Sequence, residues 1–221
     1  MVLGGPARLT KILAVATAAT WAIAALFALT PMLSIEGGFI PARVAGGAGF
    51  SIPVWLTPLT ATLVHGGLLH IAFNLVMLIY CGREVEAVLG WKPLALLYFV
   101  GAYAAAAGQY VVDPGSQIPM IGASGAISAV LAVYALLFSR NEVKRFGPIP
   151  SHWVRALWLA AAWIAVQWLI ALATRGGGFA VATPAHVGGF LAGLALARPL
   201  LSWRLASGRD SGGPIRRTRE P

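Results

Sequence analysis

Long apolar runs, almost free of charge, decide what this chain can fold into. Six of them cover residues 12–33, 64–82, 93–112, 121–139, 153–174 and 181–201. A helix needs about 20 such residues to cross the hydrocarbon of a bilayer. Composition agrees: 58% of the 221 residues are hydrophobic and 10% are charged, where a soluble domain carries about a quarter charged. Disorder is excluded by the same hydrophobicity. The expected fold class is all-α, a polytopic membrane protein built as a six-transmembrane-helix bundle in a single domain.

The segments between the runs fit that reading. Residues 34–60 form a long Gly/Pro-rich loop, Asp113–Pro114–Gly115–Ser116 is a turn signal, the stretch from Arg140 to Pro150 is short and basic, and Arg175–Gly176–Gly177–Gly178 breaks the chain again. The expected organisation is a cytoplasmic segment 1–11, a transmembrane domain 12–203 and a basic, flexible tail 204–221. The first run follows basic residues, as a signal peptide does. It exceeds a usual signal core, and Thr30–Pro31 is a poor cleavage context, so it reads as a span. Cys81 is the single cysteine; it cannot form an internal disulfide and reads as a small buried hydrophobe.

Charge assigns the sides. If both termini are cytoplasmic, only Arg43 and Arg175 of the 16 Lys and Arg residues fall outside. The positive-inside rule therefore supports six spans in this orientation, with the chain multi-pass in the cell membrane. The net charge of +9 is then a matter of topology. Attraction of the tail to anionic lipid accounts for it, and no nucleic-acid partner is implied.

Orientation converts sequence into depth. The second, fourth and sixth runs all descend from the outer side. His70 and Asn74, Ser124, and His186 lie near their respective starts. At ~1.5 Å rise per residue each sits one to two turns below the outer surface. His70 and Asn74 share a helix face, as do His186, Gly189 and Gly193. Glycines there, with Gly122 and Gly125 beside Ser124, let neighbouring backbones approach. The fourth and sixth spans are thus expected to pack tightly, serine facing histidine. Each residue alone has a plainer reading. Ser124 suits helix packing, Asn74 suits interhelical bonding, and His186 suits a carbonyl bond or a proton path. The shared depth favours a joint role.

Three motifs resemble those of the rhomboid family of intramembrane serine proteases. Gly122–Ala123–Ser124–Gly125 fits Gly-x-Ser-Gly. Ala185–His186, followed by Gly189 and Gly193, fits Ala-His-x-x-Gly-x-x-x-Gly. His70 to Asn74 fits His-x-x-x-Asn, with His65 five residues earlier. The first alone is weak; the three in register are specific, and the resemblance covers about residues 10–203. It implies a rhomboid-like six-helix bundle and a Ser–His dyad, Ser124 as nucleophile and His186 as general base. It also implies side-chain donors to the oxyanion from His70 and Asn74, and substrates that are transmembrane protein segments cut near the outer leaflet. The backbone N–H of Ser124, in the first turn of its helix, is free to join them. Glu36 and Asp113, the outer-side carboxylates, both lie in loops, so no acid is expected as a third member. Asp113 reads as a turn residue. No metal or cofactor is implied, since there is no His-Glu-x-x-His or cysteine cluster.

Two positions depart from the family pattern. The first outer loop has Trp55–Leu56 where many members have Trp-Arg, which puts loop anchoring in question. Ser128 stands where many have an aromatic that packs on the histidine, so another ring, Tyr134 or a neighbour in the sixth span, is expected to position the imidazole. Phe39, Ile40, Phe50, Ile52, Val54 and Trp55 suit a loop lying in the outer interface. Trp153, Trp158, Trp163 and Trp168 recur every five residues, a spacing that spirals around a helix. Lipid contact explains most of them, and some are expected to line the lateral opening that the fifth span borders in the family. Arg83, Glu84 and Glu86 read as a charge cluster at a helix end. The function expected is an intramembrane serine endopeptidase. The alternatives are a catalytically silent relative that binds transmembrane helices and, less favoured for want of internal repeats, a transporter or proton pathway.

Overall fold

The computed structural model describes residues 7–46, 49–138, 143–173 and 182–210, apart from the side chains at 170, 171, 173 and 207–210. The Arg175–Gly178 break, Arg140, residues 1–6 and the tail beyond 210 lie outside the described residues. What is described is helical throughout, with two isolated bridges, Phe39 with Met120 and Phe146 with Ile149. Among the described residues, four helical segments are long and apolar enough to cross a membrane: Arg8–Leu26, Leu68–Leu89, Trp91–Val112 and Thr183–Ala206. The chain is a multi-pass membrane protein.

The first span, α1 (Arg8–Leu26), is shorter than the apolar run that encodes it. It stops before Thr30–Pro31, and Ala28 takes a positive φ of 53° at the break. Pro31 lacks the N–H that a continuing helix would use, but suits the first turn of a new one, and α2 (Thr30–Gly37) starts there. The loop that follows contains 3₁₀ turns at Pro41–Ala45, Val54–Leu56 and Ala61–Leu63, and the single turn α3 (Thr57–Thr60). After Gly66 and Gly67, α4 (Leu68–Leu89) and α5 (Trp91–Val112) form two long spans hinged at Gly90, whose φ is 85°. Asp113 ends α5, and its carbonyl accepts the Ser116 N–H at 3.2 Å. The remaining helices are α6 (Ser124–Phe138), α7 (Ser151–Ala173) and α8 (Thr183–Asp210).

Helix α6 is central. It packs on α4, α5 and α8 and touches α7, and its 15 described residues span ~22 Å. Residues 125–130 are buried on every side, and Ser124 just ahead of them is half-buried. The outward faces of the surrounding helices are apolar: Val15, Leu26, Phe73, Val76, Trp158 and Leu169 are all exposed. An apolar exterior of this extent is at home in lipid.

Two polar residues are used in ways that local spacing does not reveal. Glu86 does not join a charged cluster with Arg83 and Glu84 at the helix end. It is buried, and its carboxylate accepts from the Leu9 N–H (2.9 Å), the Thr10 N–H (2.8 Å) and the Thr10 hydroxyl (2.7 Å). It thus caps the start of α1, where backbone N–H groups lack partners and the dipole favours an anion. Helix α4 runs past residue 82 to Leu89 and ends where Gly90 takes a positive φ. Arg43 supplies the loop anchor missing at Leu56. Its guanidinium donates to the carbonyls of Ile35 (3.2 Å), Glu36 (3.3 Å) and Ile52 (2.7 Å), and lies 3.7 Å above the Phe50 ring. The first two are among the last carbonyls of α2, which a cation at a helix C-terminus satisfies.

Glu86→Ala leaves three donors at the head of α1 without an acceptor. The expected cost is about 1.5–3 kcal/mol, read as a lower unfolding midpoint in detergent; an unchanged midpoint would contradict the capping role. Arg43→Ala is expected to speed limited proteolysis within residues 34–60 while cleavage elsewhere is unaltered. Equal protection in wild type and variant would show that the loop is anchored by other means.

Candidate active site

The segment that delivers Ser124 is fixed before the helix begins. Gly122 has a φ of 105°, and its N–H donates to the Ala61 carbonyl at 2.9 Å. A Cβ at Gly122 would run into the His70 Nε2 atom, so both conformation and space demand glycine there. His65, fully buried, accepts the Ala123 N–H on Nε2 at 3.4 Å, with its Nδ1 3.4 Å from the Leu63 carbonyl. It therefore holds the residue just ahead of Ser124. The Phe39–Met120 pair, bonded in both directions at 3.0 and 2.8 Å, ties the outer loop to the same segment.

The other half of the site comes from α8. A Cβ on Gly189 would strike the Gly125 carbonyl oxygen, and one on Gly193 would strike that of Ala129. Lacking side chains, the two backbones meet directly. Gly125 presents its open side to Ala105 of α5, so it serves two contacts: its carbonyl toward α8 and its missing side chain toward α5. This approach brings His186, in the first turn of α8, onto Ser124. The imidazole Nε2 lies 2.7 Å from the Ser124 Oγ, well within hydrogen-bond range.

On the far side of the ring, Nδ1 lies 2.8 Å from Oε1 of Gln167 on α7. One turn away on the same face of α7, Trp163 stacks on Phe190 of α8, with centroids 5.1 Å apart and planes at 11°. Its indole N–H donates to the His186 carbonyl at 3.3 Å. The ring expected to position the imidazole is therefore not Tyr134, which stacks on Phe138 and donates to the Tyr80 hydroxyl at 3.3 Å. Among the described residues no aromatic ring stacks on His186; an amide meets it edge-on instead. Ser128 turns its hydroxyl back to the Ser124 carbonyl at 2.8 Å. Of the four tryptophans of α7, Trp153 and Trp158 are exposed, Trp163 stacks against α8, and Trp168, also exposed, lines a cavity between α5, α7 and α8 with Val111, Pro184 and Val187.

His70 and Asn74 line the α4 side. The His70 ring lies 4.9 Å from that of His65, and its Nδ1 is 3.5 Å from the Gly66 nitrogen. If Nδ1 accepts, the proton resides on Nε2, the atom nearest Gly122. Asn74 donates its amide N–H to the His70 carbonyl at 2.8 Å, one turn back on its own helix, and its Oδ1 is buried without a partner. That bond is local to α4 and is not an interhelical link. Among the described residues no group of three His, Cys, Asp or Glu side chains gathers to hold a metal.

The residue that sequence reasoning passed over is Gln167. A neutral polar side chain amid a run of Trp, Leu and Ala is the signal that marks it, since an amide in hydrocarbon needs a partner. Nothing in the spacing of α7 says that the partner is His186.

Residues 53–203 match the family described as Rhomboid domain. Among curated proteins, the chain is similar to Rhomboid-type serine protease 2 of Emericella nidulans (30% identical over 64% of this chain and 26% of the relative). It is similar to Rhomboid protease GluP of Bacillus subtilis (27% over 66% of this chain and 26% of the relative). It also resembles Rhomboid-related protein 2 of Mus musculus (29% over 63% of this chain and 46% of the relative). The matches thus span less than half the length of each relative.

Gly189→Ala is expected to force α6 and α8 apart and cost about 1–3 kcal/mol, as overpacking does. Gly115→Ala, where an added Cβ meets nothing within 4 Å, is the control. Similar unfolding midpoints for the two variants would mean that the helices do not depend on this contact.

Proposed function

The chain belongs to the rhomboid family, and we propose that it is an intramembrane serine endopeptidase acting through a dyad of Ser124 and His186. The observation that carries this reading is the 2.7 Å separation of the Ser124 Oγ and the His186 Nε2, with Ser124 half-buried at the head of α6. A hydroxyl becomes an effective nucleophile when a base accepts its proton as it attacks. His186 is that base. It takes the Ser124 proton as Oγ adds to the scissile carbonyl, then delivers it to the leaving amine. The acyl-serine that remains is hydrolysed by water, with His186 again the base.

The tetrahedral intermediate carries its negative charge on the former carbonyl oxygen. The Ser124 N–H, unused by its own helix, is one donor to it, aided by the helix dipole. His70 through Nε2 and Asn74 through its amide supply the others. Losing one such donor typically costs ~2.7–4 kcal/mol of transition-state stabilisation. Asn74 must for this purpose use the N–H that is not bonded to the His70 carbonyl. Gly122, Gly125, Gly189, Gly193 and His65 support the site by fixing backbone approach and the segment before Ser124.

The substrate class proposed is the transmembrane segment of another membrane protein, opened locally so that its peptide bond reaches Ser124. The six-span bundle, residues 12–203, would sit in the cell membrane with both termini cytoplasmic. Arg8, Lys11, Arg83, Lys92 and Arg204 cluster at the helix ends away from Ser124, which is the pattern expected of the cytoplasmic side.

Reconstitution in liposomes with a transmembrane substrate tests the reading. Wild type is expected to cleave, and Ser124→Ala and His186→Ala are expected to reduce kcat at least ~10³-fold, the scale on which such dyads fail. Cleavage that survives Ser124→Ala would reject the mechanism. Substrate binding without cleavage by the wild type would identify a silent helix-binding relative.

A further inference from the structure

The expected dyad leaves a question about protons. A neutral imidazole has one N–H and one lone pair. For His186 to accept a proton from Ser124, the lone pair must be on Nε2 and the N–H on Nδ1. An unpartnered Nδ1–H inside the bundle would gain nothing from that arrangement, and the other tautomer, with Nε2–H pointing at Ser124, would be a donor unable to act as base. Carboxylates that settle this in other serine hydrolases have no counterpart on His186 among the described residues.

Gln167 stands in that place. Its side chain is 2% exposed, on α7, and its Oε1 is 2.8 Å from the His186 Nδ1. An amide oxygen only accepts, so a bond to it requires the proton on Nδ1 and frees Nε2 for the serine. The amide is positioned by its surroundings. Trp163, four residues earlier and so on the same helix face, stacks on Phe190, which is four residues after His186, and bonds the His186 carbonyl. Two side chains of α7 thus interlock with two of α8, fixing both the lateral place of the ring and its rotation.

We propose that Gln167 is a positioning residue, which holds His186 in the base-competent tautomer and orientation through an Nδ1–H···Oε1 bond, so that Ser124, His186 and Gln167 work as a row drawn from three helices. This rests on the dyad reading above. It also makes the base depend on the seating of α7: any displacement of α7 from α8 removes the acceptor from Nδ1 and disarms the site.

Three substitutions, assayed in liposomes alongside Ser124→Ala, test this. Gln167→Leu keeps volume and removes the acceptor. It is expected to lower kcat about 10- to 100-fold, part of the ~10²–10⁴ that a positioned base supplies, with KM within about twofold. Gln167→Glu keeps an oxygen acceptor at Nδ1 and is expected to retain much more kcat than Gln167→Leu. Trp163→Phe keeps a ring on Phe190 and removes the indole bond to the His186 carbonyl; with Nδ1–H···Oε1 intact it is expected to retain more kcat than Gln167→Leu. A merely structural role predicts the reverse order, because a carboxylate is harder to bury than a leucine. Kcat for Gln167→Leu within twofold of wild type, or equal to or above that of Gln167→Glu, would overturn the proposal. If Ser124→Ala itself cleaves, the dyad reading fails instead, and the two failures are told apart in one experiment.

Discussion

Everything at the site depends on two helix backbones being allowed to touch. Gly189 and Gly193 of α8 face the carbonyl oxygens of Gly125 and Ala129 of α6 so closely that no side chain fits between them. Lipid surrounds this bundle, so water-driven burial does not hold the helices together; close packing and polar contacts must. The same closeness joins the proposed dyad. His186 lies one turn before Gly189, and Ser124 lies one residue before Gly125. With the glycines in contact, the imidazole lies against the hydroxyl. Helix packing and the Ser124–His186 contact are thus encoded in the same few residues.

A second constraint is the segment that delivers Ser124 to the head of α6. Residues 125–130 are buried on every side, so the turn before them decides where the hydroxyl sits and must be held rigidly. The Gly122 bond to Ala61, the His65 contact with Ala123, and the Phe39–Met120 pair meet that need. Arg43 in turn stiffens the loop to which they are tied.

Sequence carried much of this, and its failures have a common cause. Helical periodicity and glycine spacing marked Ser124, His186, Gly189 and Gly193, because motifs and packing faces are local. The apolar runs located the helices, but their ends shifted where a local rule met a tertiary one. Pro31 cut the first run short, and the second runs on past its charged residues, with Glu86 turned inward, to Leu89. Glu86, Arg43 and Gln167 were misread or passed over. Each finds its partners on another segment: Glu86 at residues 9 and 10, Arg43 on either side within the loop, Gln167 at residue 186. A buried polar side chain announces that it needs a partner, but its identity is a property of the fold. Ser128 and Leu56 show the same thing from the other side. The loop is held by Arg43 rather than by a residue at position 56, and the imidazole meets Gln167 of α7 rather than a ring at position 128.

The central claim is that one hydroxyl, Ser124, is made nucleophilic by the imidazole seated on it. The most direct measurement is the reaction of the folded protein in detergent with a fluorophosphonate, the adduct mapped by peptide mass spectrometry. The account predicts a single adduct on Ser124, absent after unfolding and lost in His186→Ala. An adduct formed equally well in His186→Ala, or found on a different serine, would contradict it.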